Sequence, residues 1–122
     1  MRVGFVAFGS ALAGLLAVPA YAATDNYADA LRTMLTQAVA GNCSAELMAA
    51  PLLTACREQI GAMATDLKAA GPVTTLTLEK AEGEAAQRVE TYKVTFAKGE
   101  SSTWHIGHMT DGKFQTVYSL GN

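Results

Sequence analysis

Asp111-Gly112 sits between two runs in which apolar and polar residues alternate, T-W-H-I-G-H-M before it and F-Q-T-V-Y-S-L after it. That dipeptide is the strongest short-range signal for a tight antiparallel hairpin, because both central residues must take a left-handed backbone. The spacing therefore predicts two paired strands at the end of the chain. An earlier run, V-E-T-Y-K-V-T-F from Val89 to Phe96, supplies a third strand of the same meander.

Register decides which side chains share a face, since the period of a strand is two. A tight turn at Asp111-Gly112 sets Thr110 opposite Lys113. Counting back, Met109 faces Phe114, Gly107 faces Thr116, Ile106 faces Val117 and His105 faces Tyr118. If Gly99-Glu100 centres the preceding turn, Phe96 pairs with Thr103 and Val94 with His105. One face then carries Tyr92, Val94, Phe96, His105, Met109, Phe114 and Tyr118, and the other carries Trp104, Ile106, His108 and Val117. The first face is the more apolar, so it is expected to lie under the helices, with Trp104 turned outward. A bulge near Gly99 would reverse the relation between Val89–Phe96 and the strands that follow.

The chain begins Met-Arg, runs apolar from Val3 to Val18, breaks at Pro19 and reaches Ala20-Tyr21-Ala22. A short apolar run ending in small residues is the pattern of a secretory signal peptide, with cleavage expected after Ala22. Residues 23–122 are then one small domain, periplasmic or secreted, with no membrane anchor after cleavage. Nine basic residues stand against eleven acidic ones, and no basic cluster occurs, so a nucleic-acid surface lacks its electrostatic basis.

Tyr27, Ala30, Leu31, Met34, Leu35, Ala38 and Val39 recur at helical spacing after a candidate cap at Asp25-Asn26, and Gly41-Asn42 stops the helix. Ser44 to Ala49 reads as a short second helix interrupted by Pro51. Leu53, Cys56, Ile60, Met63 and Leu67 form the stripe of a third, which Gly71-Pro72 ends. Val73 to Lys80 reads as the first strand. Helices first and strands after predict an α+β domain: two to three N-terminal helices on one face of a four-stranded antiparallel sheet.

Cys43 and Cys56 are the only cysteines. An even count in an exported chain points to a disulfide. No metal-ligand spacing or cofactor motif is present, and His105 and His108, three apart on one strand, should point to opposite faces. His105 is the weak catalytic candidate, as a base or ligand-binding group beside tyrosine hydroxyls. No acidic residue reads as mid-strand on the core face. Trp104, Ile106 and Val117 form a candidate contact patch for a homodimer.

The succession of helices, one ending A-V-A-G-N and a longer one ending A-A-G-P-V, then Y-K-V-T-F and T-W-H-I-G-H-M-T-D-G-K-F, resembles small exported bacterial domains of the nuclear-transport-factor-two-like superfamily, of unassigned function. That resemblance implies a cone-shaped α+β roll with a pocket between helices and sheet, lined here by Tyr92, His105, Phe114 and Tyr118. It also implies dimerisation through the outer sheet face, here carrying Trp104, Ile106 and Val117. The expectation is a non-catalytic binding module for a small apolar ligand or a protein partner. The alternatives are an isomerase or cyclase using His105 and a structural homodimer. Catalytic members of the superfamily use a carboxylate base, and none is read at a matching core position.

Overall fold

A computed structural model describes residues 18–120, with side-chain surroundings from Tyr27 onward. Residues 1–17, most of the expected signal peptide, lie outside the described residues. Two helices, α1 (Val18–Val39) and α2 (Ala50–Ala70), precede four strands: β1 (Val73–Glu82), β2 (Val89–Phe96), β3 (Ser101–Thr110) and β4 (Lys113–Ser119). The strands form an antiparallel meander in the order β1-β2-β3-β4.

The apolar stripe of α1 is buried as its spacing requires: Tyr27, Ala30, Leu31, Met34, Leu35 and Ala38 all face the core. Gly41 ends the helix at φ 86°, and the Asn42 N–H returns to the Gln37 carbonyl. The helix does not start at Asp25-Asn26, because it runs unbroken from Val18 through the alanine-rich segment. The expected short helix from Ser44 is a turn instead. Leu47 and Met48 donate to the Ser44 carbonyl, and the chain then makes a parallel bridge from Met48 to Phe114. Pro51 does not interrupt a helix: it occupies the first turn of α2, where its missing N–H costs nothing. The stripe of α2 is as read, with Cys56 and Leu67 buried and Leu53, Ile60 and Met63 packed against the core. Gly71, at φ 86°, caps the helix by donating to Leu67 and Lys68.

The β3–β4 register is the expected one at every pair, from Thr110 with Lys113 to His105 with Tyr118. The β2–β3 register is not. Val94 lies opposite Ser102 rather than His105, a slip of three residues, and Tyr92 lies opposite Trp104. The cause is in the connection. The N–H groups of Ala97 and Lys98 donate to the carbonyls of Pro72 and Ala70 at the end of α2, so these residues leave the ladder. An odd slip exchanges the faces of β3 and β4 relative to β2. Trp104 and Ile106 therefore enter the core with Tyr92, Val94 and Phe96, while Tyr118 is 44% exposed on the outer side. The expectation that the lone tryptophan faces outward and Tyr118 inward is thus corrected.

Phe114 nonetheless stays inside, 1% exposed, although Val117 three residues on also packs against the core. The alternation breaks beside His108, whose backbone is left-handed (φ 55°) and whose N–H leaves β4 for the Arg88 carbonyl. Gly107 faces β2 so closely that a Cβ there would lie 2.7 Å from Val89 Cα.

Candidate functional site

The residues expected to line one pocket are divided between two faces. Tyr92 and Phe114 lie beneath the helices. His105 and Tyr118 lie on the outer face, their rings stacked 4.6 Å apart at 23°. His105 Nδ1 shares a 3.0 Å hydrogen bond with Thr91 Oγ1. His108 Nδ1 shares one of 2.6 Å with Thr116 Oγ1, so the bend at His108 removes the expected separation of the two histidines by simple alternation. No group of three potential metal ligands occurs among the described residues. Of the expected contact patch, Ile106 is fully buried, Trp104 nearly so, and Val117 packs against the core. Trp104 and Val117 help line a small cavity of about 70 Å³ with Met34, Met48 and Met63, and the indole N–H donates to Ser102 Oγ at 2.8 Å.

The cysteines are joined. Cys43, just past α1, is bonded to Cys56 on the buried stripe of α2. The bond closes the loop that carries Met48 to β4. None of the helices among the described residues is long and apolar enough to cross a membrane.

Two constellations emerge that spacing alone did not single out. The first is a buried ionic cluster. Against the expectation that no acidic residue lies on the core face, Glu90 of β2 is there and is 0% exposed. Its carboxylate accepts from Arg88 Nε at 2.7 Å and from the Tyr92 hydroxyl. The Arg88 guanidinium also lies 5.9 Å from the centre of the Tyr27 ring, and Tyr27 meets Phe114 edge-to-face at 5.0 Å. Burial is the main influence raising the Tyr27 pKa. The Glu90 charge adds to that rise and Arg88 opposes it. The Tyr92 hydroxyl is held far above the ordinary tyrosine range, first by burial and then by its hydrogen bond to Glu90. Arg88, Glu90 and Tyr92 line neither the small cavity beside Trp104 nor the larger cleft between α1, α2 and β1. Within this cluster the Arg88 guanidinium and the Tyr92 hydroxyl compensate the buried Glu90 carboxylate. The clue was present in the chain: Glu90 has the parity of Tyr92, Val94 and Phe96, and Arg88 stands two residues before it.

The second is an open cleft of about 320 Å³ where α1, the end of α2 and the start of β1 converge. Val39, Leu67, Pro72, Val73 and Phe96 make its apolar wall, and Thr36, Arg32 and Lys68 stand on its helical sides. Arg32 Nη1 reaches the Val73 carbonyl at 3.5 Å. No carboxylate, histidine or cysteine lines this cleft, and its ionisable lining groups are Arg32 and Lys68. Its volume lies near the lower end of the range of small-molecule sites, about 300–1,000 Å³. No sequence signal marks it, because it exists only where two helices and a strand from distant parts of the chain meet.

Comparisons with protein-family models, with curated proteins and with solved structures return no match to this chain.

Proposed function

We propose that this is an exported, non-catalytic binding module whose ligand is a small, largely apolar molecule held in the cleft between α1, α2 and β1. The observation that carries the reading is the cleft itself: an open concavity walled by five apolar residues, with no carboxylate, histidine or cysteine in its lining. The apolar run that ends at Ala20-Tyr21-Ala22 and the Cys43–Cys56 bond support export into an oxidising compartment. The order of helices and meander supports kinship with the nuclear-transport-factor-two-like domains. The cleft then plays the part of their pocket, with different lining residues from those read off the strands. A His105-based isomerase has less support, since that ring stacks on Tyr118 on the outer face of the sheet.

The test uses N-phenyl-1-naphthylamine, a neutral apolar fluorophore. The expected result is a saturable rise in fluorescence that Thr36→Trp abolishes by filling the cleft from an exposed helical position. Absence of saturable binding, or binding indifferent to Thr36→Trp, would reject the cleft as the site.

A further inference from the structure

We infer that the cleft selects an anionic amphiphile: a short acyl or aryl group carrying a carboxylate or comparable acidic head. The inference rests on the reading of the cleft as a ligand site and adds the sign of the ligand's charge. The only charged residues lining the cleft are Arg32 and Lys68, both positive and both exposed. They come from different helices, so no single helical pattern brought them together. Among the described residues neither takes part in an ion pair, whereas Arg88 and Lys80 do. The chain as a whole is acidic, with a formal charge of −2. A wholly cationic rim on an acidic protein is therefore a local feature and does not follow from overall composition.

The geometry also gives the ligand a direction. The apolar wall of Leu67, Val73 and Phe96 takes the tail, and the guanidinium and ammonium groups take the head where it remains in contact with water. Arg32 uses one nitrogen on the Val73 carbonyl, at the outer limit of a hydrogen bond, and its remaining N–H groups suit a planar carboxylate. Lys68 lies in the last turn of α2, where a cation is also favoured by the helix dipole. The Gly71 N–H caps the Leu67 and Lys68 carbonyls, so they do not present a bare negative end to the head group.

Calorimetric titration of the intact domain with octanoate, n-octanol and octyltrimethylammonium, at low and at high salt, tests the inference. Octanoate is expected to bind about tenfold more tightly than the alcohol at low salt, and the cationic amphiphile to bind most weakly. Added salt should erode the octanoate advantage because the pairing is exposed. In Arg32→Gln/Lys68→Gln the ratio of octanoate to octanol affinity should fall by about tenfold. Both positions are exposed, so the variant is expected to fold, which circular dichroism checks. If octanol binds as well as octanoate, or the double substitution leaves the ratio unchanged, the charge preference is wrong and the cleft reading survives. If none of the three binds, the cleft reading fails first and takes this inference with it.

Discussion

Replacing Arg88 with methionine should expose how much the core depends on one ion pair. Arg88 Nε lies 2.7 Å from Glu90 Oε2; the carboxylate is fully buried, and the arginine side chain is 29% exposed. The substitution keeps an apolar stem of similar length and deletes only the guanidinium. Glu90 then remains in the core with the Tyr92 hydroxyl as its one charge-compensating contact. Removing one partner of a buried pair costs about 3–5 kcal/mol, because the surviving charge is uncompensated. The retained Tyr92 bond offsets about 1 kcal/mol of this, which places the expected loss near 3 kcal/mol. Against a total stability of about 5–15 kcal/mol, that is a large fraction. Glu90→Gln should cost less, about 1 kcal/mol, since the partly exposed Arg88 can be hydrated. Arg88→Met/Glu90→Gln should recover most of the loss, leaving a coupling energy above about 1.5 kcal/mol. Urea unfolding at neutral pH followed by circular dichroism measures all four proteins. A loss below about 1 kcal/mol for Arg88→Met, together with additive single substitutions, would refute the account of Glu90 as a charge held by its neighbour.

Three further outcomes follow from other parts of the fold. The neutral forms of Tyr27 and Tyr92 are favoured by folding, so their contribution is complete below the unfolded tyrosine pKa of about 10 and is lost as pH rises above it. Urea midpoints between neutral and strongly alkaline pH should fall from about pH 10, and less steeply in Tyr92→Phe; a flat profile would contradict the buried hydroxyls. Cys43→Ser/Cys56→Ser should lose about 3 kcal/mol through loop closure, and hydrogen exchange at the Met48–Phe114 bridge should quicken, whereas unchanged exchange there would separate the loop from the bond. Gly107→Ala should destabilise by about 2 kcal/mol or more, because the added carbon meets Arg88 and Val89 backbone rather than a movable side chain; wild-type stability in that variant would show that the strands are less closely apposed.

Local signals carried far in this chain, and failed where a distant segment intervened. The Asp111-Gly112 turn predicted every β3–β4 pair, and the stripes of α1 and α2 marked the buried residues, because both depend on neighbours in sequence. The β2–β3 register depends instead on how the end of α2 captures Ala97 and Lys98, which no alternation within the strands reveals. That one capture moved Trp104 and Ile106 inward and His105 and Tyr118 outward. An aspartate at Trp104 would consequently put a carboxylate into the core and impair folding. Glu90 was legible by parity and obscured by the habit of placing acids at strand ends. The cleft was not legible, since Arg32, Lys68 and Val73 share no periodicity.

The two margins of the sheet are unequal. On one side, Phe114 of β4 exchanges backbone hydrogen bonds with Leu47 and Ala49, the loop that the disulfide anchors. On the other, β1 is threonine-rich, largely exposed and paired only with β2 among the described strands. The β4 edge is therefore occupied at Phe114, whereas β1 offers its outer backbone along the strand, so among the described residues β1 is the more open margin for a further strand.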